Sequence, residues 1–237
     1  MTQKGSRWQI APSSWSLSSG VVDVWAFDRE SPVEDVSQLG ATLSADERAR
    51  ASRFRFDRDR NQFMTARGAL RTLLGGYLAV QPAELIFEYG THGKPTLAGR
   101  YQGSLKFNVS HSQGLALVAV SPDVEVGIDV EGIRPMPDAV EIAARFFSPR
   151  EAAELRALPA VSRISAFFAC WTRKEAYLKA VGRSLAALGD QDDAGERQQW
   201  SHHYLPPLPG YAAALVTRGH PRGVQFWSTS NNLLMVN

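Results

Sequence analysis

The sequence predicts an α+β protein made of two similar halves, and three observations carry that reading. Strand-like runs and long helical stretches occur in both parts of the 237-residue chain. Their order is the same twice: a strand, a helical stretch, then further strands. A turn, Ser121-Pro122-Asp123, separates the two series. There is no alignable internal repeat, so the duplication rests on element order alone. The expected organisation is a loose tail over residues 1–20, a first α+β half over 21–122 and a second over 123–237.

Each element has a local cause. Val21-Val22-Asp23-Val24-Trp25-Ala26-Phe27 has the β-branched and aromatic content of a strand. Ser44-Ala45-Asp46-Glu47 is a capping box that starts a helix. Phe63, Ala66, Leu70, Leu73, Leu74 and Tyr77 fall at helical spacing, in an amphipathic element that ends before Pro82. Strand-like runs follow at residues 85–89, 105–109 and 115–120. In the second half, residues 126–131 alternate as a strand does. Ser148-Pro149-Arg150-Glu151 combines a capping box with proline at the first helical position. Ile164, Phe167, Phe168, Trp171, Leu178 and Val181 form the buried stripe of the next helix, which Gly182 ends. Residues 189–199 read as a polar loop, and 210–216 and 224–228 as closing strands.

Composition excludes several classes. The apolar fraction of 44 % and charged fraction of 21 % are those of an ordinary soluble globule. A net charge of +2 gives no reason to expect nucleic acid or a membrane surface. No apolar run approaches the ~20 residues of a membrane span, and the first nineteen residues lack the apolar stretch of a secretory signal. A single cysteine, Cys170, leaves no internal disulfide and fits a reducing compartment, so a cytoplasmic location is expected.

Two segments carry the chemistry. In Val126-Gly127-Ile128-Asp129-Val130-Glu131, strand alternation points Ile128 and Val130 one way and Asp129 and Glu131 the other. In Trp171-Thr172-Arg173-Lys174-Glu175-Ala176-Tyr177-Leu178-Lys179, four-residue spacing puts Glu175 and Lys179 on one helix face. Three carboxylates converging on one point suit a hard cation. Mg²⁺ fits best, because it takes one or two carboxylates, waters and substrate phosphates. Lys179, one turn beyond Glu175, is placed to neutralise a phosphate held by that metal. This is the layout of a phosphoryl-transfer site. Upstream, a glycine-flanked lysine in Gly93-Lys94-Pro95 can approach a phosphate closely. Ser110 and His111 add a hydroxyl and an imidazole donor.

Taken in order, Gly93-Lys94-Pro95, Asn108-Val109-Ser110-His111-Ser112, Gly127-Ile128-Asp129-Val130-Glu131 and Trp171-x-x-Lys174-Glu175-Ala176-x-x-Lys179 resemble the Sfp-type 4′-phosphopantetheinyl transferases. The last motif looks like the W/KEA form of that group. Phe54-Arg55-Phe56-Asp57-Arg58 and Arg145-Phe146-Phe147-Ser148 also fit, so the resemblance runs from about residue 44 to 185. It implies two similar α+β halves with the active site at their interface, a monomer because the halves supply both sides of the cleft. It also implies transfer of the phosphopantetheine arm of coenzyme A to a serine of an apo acyl or peptidyl carrier protein, with Mg²⁺ and release of 3′,5′-ADP. By position, Asp129, Glu131 and Glu175 match the metal ligands, and Lys179 the diphosphate contact. Asn108, Ser110 and His111 match the motif that meets the coenzyme A phosphates. Arg58, Lys94 and Pro95 match its 3′-phosphate and adenosine end. Glu175 and Lys179 are the expected catalytic pair. The proton acceptor is left open between Glu175, Glu151 and a metal-held water.

Competing readings are weaker once the motifs are taken together. Alone, Asp129 and Glu131 would read as a solvated strand face, and Glu175–Lys179 as a surface ion pair of ~0.3–0.5 kcal/mol. Lys174, one step from Glu175, faces elsewhere and stays outside the site. Glu151 sits in a capping box, which favours a structural role. Phe167, Phe168 and Trp171 belong to the core, and Cys170 beside them is inert. The six arginines between Ser44 and Arg60 are offset by Asp46, Glu47, Asp57 and Asp59, which argues against nucleic acid. His202 and His203 lack companion metal ligands. Two rival functions remain. A different Mg²⁺-dependent diphosphate-cleaving enzyme would release adenosine bisphosphate without an apo-carrier. A non-catalytic coenzyme A-binding or carrier-binding protein would have no need of the clustered carboxylates.

Overall fold

Strand alternation sorts the side chains of this chain into four stacked layers: helix, sheet, sheet, helix. The computed structural model describes residues 7–29, 33–91, 93–183 and 198–229. A five-stranded sheet contains β1 (Gln9–Ile10), β2 (Val21–Asp28), β5 (Lys106–Ser112), β6 (Leu115–Ser121) and β10 (Gly223–Ser228) in the order β1-β10-β2-β6-β5. Its β1, β10 and β2 run parallel, while β2-β6-β5 form an antiparallel meander. A second, antiparallel sheet has the order β7-β9-β8, from β7 (Val126–Gly132), β8 (Trp200–His203) and β9 (Tyr211–Arg218). A short hairpin joins β3 (Phe87–Tyr89) to β4 (Pro95–Leu97).

Helices α1 (Val33–Ala41), α2 (Ala45–Ala51) and α3 (Asp57–Leu78) belong to the first half; α4 (Ala139–Phe146), α5 (Pro149–Ala157) and α6 (Ala160–Val181) belong to the second. On one face of the large sheet, Trp25, Phe107, Val118 and Val120 pack on Leu70, Leu73 and Leu74 of α3. On its other face, Val22, Val24, Leu115 and Leu117 meet Ile128, Val130 and Leu215 of the small sheet. The outer face of the small sheet carries Ala214 and Val216 against Ala176, Tyr177 and Ala180 of α6. Alternation therefore commits Gly127, Asp129 and Glu131 to the α6 side, as the sequence pattern predicts.

The predicted helix boundaries have physical counterparts. At α5, the Glu151 N–H donates to Ser148 Oγ (3.3 Å) and the Ser148 N–H to Glu151 Oε2 (2.9 Å), the reciprocal bonds of a capping box. α6 ends at Gly182, whose φ of +70° suits glycine. Glu47 does more than cap α2. It accepts the Ser44 N–H at 3.1 Å and also binds Arg67 (2.5 Å) and Arg71 (2.6 Å) of α3 in a buried ion cluster. Arg67 and Arg71 lie beyond the six arginines of residues 44–60, and both turn inward from α3.

Two expectations are corrected. Residues 7–20 are not a loose tail: Trp8 is buried against Phe226, and Trp15 packs edge-on to Trp25 at 5.2 Å. Strand β10 does not close the second half. It inserts between β1 and β2 of the first, because Phe226 completes the apolar face that Val22 and Val24 present. The polar run at 189–199 lies outside the described residues up to 197.

Candidate active site

Strands β5 and β7 are the facing edges of the two sheets, and side chains stitch them together at every second residue. Asn108 Oδ1 accepts the Ile128 N–H (2.8 Å), Ser110 Oγ the Val130 N–H (3.2 Å) and Ser112 Oγ the Gly132 N–H (3.0 Å). Strand period two places Asn108, Ser110 and Ser112 on one side of β5. The motif is therefore a comb that satisfies the free N–H groups of an edge strand. Each tooth contributes about 1 kcal/mol.

The two serines have a second task. Ser110 Oγ donates to Asp129 Oδ1 (2.8 Å), and Ser112 Oγ donates to Glu131 Oε2 (3.0 Å). The carboxylates of β7 are aimed by hydroxyls of the opposite half. Helix α6 brings the remaining groups, and Gly127 lets it come close. A Cβ at Gly127 would lie 2.0 Å from the Ala176 carbonyl oxygen and 2.5 Å from the Ala180 nitrogen. With no side chain there, α6 rests on the β7 backbone. Lys179 Nζ reaches Asp129 Oδ1 at 2.6 Å and Ser110 Oγ at 2.9 Å.

Electrostatics mark this cleft as strained in charge. Burial pushes the Asp129 carboxyl above its ordinary value, with Lys179 and Ser110 pulling the other way. Burial, and next the charge of Asp129, raise Glu175 as well. The charges of Asp129 and Glu131 both act on Glu175, so the three carboxylates share one neighbourhood. Among the described residues no three acidic, imidazole or thiol groups are close enough to enclose a metal. The reason is visible: a buried carboxylate needs a counter-cation, and Lys179 supplies one. The donor set still suits a hard cation. All three groups offer carboxylate oxygens, and Asp129 Oδ2 is buried without a hydrogen-bond partner.

The other predicted residues fall in different places. His111 lies on the opposite face of β5 from the comb, at the cleft mouth. Desolvation, then the charge of Arg29, lowers its pKa. Lys94 donates to the carbonyl oxygens of Lys179 (2.8 Å) and Ala180 (3.4 Å), so it binds the last turn of α6. Burial lowers its pKa. Pro95 opens β4 opposite Tyr89. Arg58 is exposed on the first turn of α3. Asn108 is buried and its oxygen is taken by β7. The seam thus brings together Ser110, Asp129, Glu131, Glu175 and Lys179, with His111 at its mouth. Arg58, Lys94 and Pro95 lie on other elements.

Sequence reasoning missed Ser112 and Arg29. Ser112 carried a usable signal, since it stands two residues beyond Ser110 on a strand. Arg29 had none: it is a strand-end arginine whose guanidinium is held by the Gln113 carbonyl (3.0 Å). Lys174 turns toward α5 and the turn before it. It binds Glu151 at 2.8 Å and lies over the Phe147 ring. Burial works to raise the Glu151 carboxyl, but Lys174 and Ser148 outweigh it and hold it at about 2. A group that acidic is a poor general base. Burial pushes the Cys170 thiol up to about 11, in keeping with an inert side chain.

Both halves match one group of proteins. Residues 125–214 match the 4′-phosphopantetheinyl transferase superfamily, and residues 30–123 match its N-terminal domain family. The chain belongs to the 4′-phosphopantetheinyl transferase superfamily. It is 41 % identical to the 4′-phosphopantetheinyl transferase HetI of Nostoc sp. strain PCC 7120, over 93 % of this chain and 97 % of that protein. It is 34 % identical to the 4′-phosphopantetheinyl transferase psf-1 of Bacillus pumilus, over 70 % and 69 %. A 4′-phosphopantetheinyl transferase of Bacillus subtilis is 29 % identical over 67 % and 69 %. Assignment to the Sfp-type, W/KEA form continues to rest on the motifs themselves.

Proposed function

We propose that this protein transfers the 4′-phosphopantetheine arm of coenzyme A to a serine hydroxyl of an apo acyl or peptidyl carrier protein and releases 3′,5′-ADP. We further propose that it acts in the cytoplasm as a monomer, with Mg²⁺ held by Asp129, Glu131 and Glu175. The observation that carries the reading is the Asp129–Ser110–Lys179 cluster at the seam between two family-matched halves. It joins a buried carboxylate to a lysine that can be exchanged onto a phosphate. Domain limits near residue 122 separate the two halves in sequence, though not in space.

The chain's residues divide the work. His111 and Arg58 offer positive or donor groups to phosphates along the cleft, and the Gly93-Lys94-Pro95 turn lines the approach to the adenosine end. Lys179, released from Asp129, would follow charge on the diphosphate oxygens, where it stabilises the transition state more than the ground state. Bound Mg²⁺ supplies Lewis-acid neutralisation of the same diphosphate. The carrier serine attacks the β-phosphorus, its O–P bond forms, and the P–O bond to the α-phosphate breaks. Glu175 stands on the same face of α6 as Lys179 and is taken as the acceptor for the serine proton, whereas Glu151 is held at about 2 and binds Lys174. Positioning carries most of the rate in this chemistry.

The test is intact-mass analysis of a panel of apo-carriers incubated with coenzyme A, Mg²⁺ and the protein. One added phosphopantetheine on a carrier serine is expected, with adenosine bisphosphate released only when carrier is present. Folded protein that modifies no carrier from fatty acid, polyketide or peptide systems would refute the proposal.

A further inference from the structure

Each end of Lys179 is held by a residue of the first half. At the side-chain end, its ammonium donates to Ser110 Oγ at 2.9 Å, beside the Asp129 contact. At the backbone end, Lys94 Nζ donates to the Lys179 carbonyl at 2.8 Å and to the Ala180 carbonyl at 3.4 Å. Lys94 stands immediately before β4, and α6 belongs to the second half. This contact therefore crosses between the halves at a point separate from the comb.

Helix geometry explains why the Lys179 carbonyl is open to it. In a continuing helix that carbonyl would accept the Arg183 N–H, four residues on. Gly182 turns the chain left-handed at a φ of +70°, and the Arg183 N–H goes back to the Leu178 carbonyl at 2.9 Å instead. The Lys179 carbonyl is left to a donor from outside the helix. An ammonium suits the place twice over, as a donor and as a positive charge at the negative end of the helix dipole. The carboxylate whose charge acts on Lys94 is Glu125, and Lys106 engages it at 2.7 Å. Gly127 lets the same turn rest on β7 at Ala176 and Ala180, so the turn has one close contact in its own half and one tie to the other.

We infer that Lys94 is a positioning residue for Lys179: it fixes the backbone of the residue whose ammonium must pass from Asp129 to the diphosphate. The inference rests on the role proposed for Lys179 and goes beyond it, by giving the lysine of the Gly-Lys-Pro turn a task in the chemical step. Without this tie the last turn of α6 opens more often, as helix ends do when their orphan carbonyls lose a partner. Lys179 then spends less time in the geometry the reaction needs, and a small misplacement costs rate. The effect falls on kcat, whereas a lysine that only binds coenzyme A would act on KM.

The test reads Lys179 directly, in the full-length protein without coenzyme A. A short pulse of an amine-acylating reagent is followed by peptide mass analysis, and the rates at Lys179 and Lys174 are compared. Lys174 lies on the same helix, is paired with Glu151 at 2.8 Å, and reports any general loosening. Lys94→Met keeps the stem and removes the donor. It should raise the Lys179 rate about fivefold to tenfold and leave the Lys174 rate unchanged. Lys94→Arg restores a donor and should bring the Lys179 rate back toward that of the natural protein. Lys94→Gln carries an amide donor on a shorter stem; it should fall between the two, and it serves if the methionine variant does not fold. With dephospho-coenzyme A as donor, which takes the 3′-phosphate out of the comparison, kcat should fall in the same order as labelling rises. An unchanged Lys179 rate in Lys94→Met would overturn the inference. So would equal rises at Lys179 and Lys174, or a kcat that stays level while labelling rises. Natural protein that transfers nothing would refute the proposed activity instead, and the labelling rates would still decide whether Lys94 holds Lys179.

Discussion

Replacing Lys179 by methionine should abolish transfer and, at the same time, tighten metal binding to the protein without coenzyme A. The lysine occupies the counter-cation position on Asp129, at 2.6 Å, with Asp129 4 % exposed and Lys179 30 % exposed. A metal arriving at Asp129 must displace it. A hydrogen bond to a charged partner contributes about 1.5–3 kcal/mol. Because the ammonium regains water when it leaves, the lower end applies. About 1.4 kcal/mol corresponds to roughly tenfold in affinity. Methionine keeps the length of the stem and removes the charge. The assay is Mn²⁺ titration followed by electron paramagnetic resonance at about pH 8, well above the ordinary carboxylate range. Lys179→Met should bind Mn²⁺ about tenfold tighter than the natural protein. Coenzyme A should tighten Mn²⁺ binding in the natural protein, since its diphosphate draws Lys179 away from Asp129, and do so much less in the variant. Unchanged or weaker Mn²⁺ binding in Lys179→Met would refute the idea that this lysine holds the metal's place.

Three further outcomes follow from the same geometry. Ser112→Ala removes the hydroxyl that holds Glu131 and leaves that carboxylate to Arg134, at 3.2 Å. The Mg²⁺ concentration for half-maximal rate should rise roughly threefold to tenfold, with the KM for coenzyme A unchanged and with recovery in Ser112→Thr; an unchanged Mg²⁺ requirement would show that the contact is only structural. Glu151 has a folded-state pKa of about 2 against an ordinary 4.5, so its stabilisation is complete above 4.5 and is lost as pH falls through about 2. After discounting for a side chain one-third exposed, Glu151→Gln should cost roughly 1–2 kcal/mol at neutral pH, and its denaturation midpoint should converge with that of the natural protein on acidification. Lys94→Ala should lower thermal stability, because two carbonyls of the last turn of α6 lose their donor. If Lys94 also meets the 3′-phosphate, the variant's KM will rise more for coenzyme A than for dephospho-coenzyme A; an equal rise would assign the whole effect to α6.

Much of the site was legible because two short periodicities decide it. Strand alternation alone put Asp129 and Glu131 away from Ile128 and Val130, and helical spacing alone put Glu175 and Lys179 together. What could not be read was which partner each group meets across the seam. Asn108 belongs to a motif matched to coenzyme A contacts, yet its oxygen is committed to the Ile128 N–H, because an edge strand must satisfy its backbone donors. Lys94 sits beside a glycine as a phosphate-binding lysine would, yet its ammonium reaches a helix end some 85 residues away in sequence. Non-local choices of this kind depend on how sheets meet, and local pattern is silent on them. The same holds for β10, whose composition announces a strand but not the sheet it enters.

That last strand has a consequence for how the protein is made. Strand β10 separates β1 from β2 in the large sheet. While the chain is being synthesised from its N-terminus, the outer edge of β2 has no neighbour until residues 223–228 emerge. The first half therefore leaves the ribosome with a bare edge of Val21-Val22-Asp23-Val24 and an apolar face still waiting for Phe226. Open edges of this kind recruit strands from other chains. Chains released before residue 223 should be the aggregating species in the cell. Strand β10 thus acts as a completion signal: only a chain that includes residues 223–228 can close its first-made sheet.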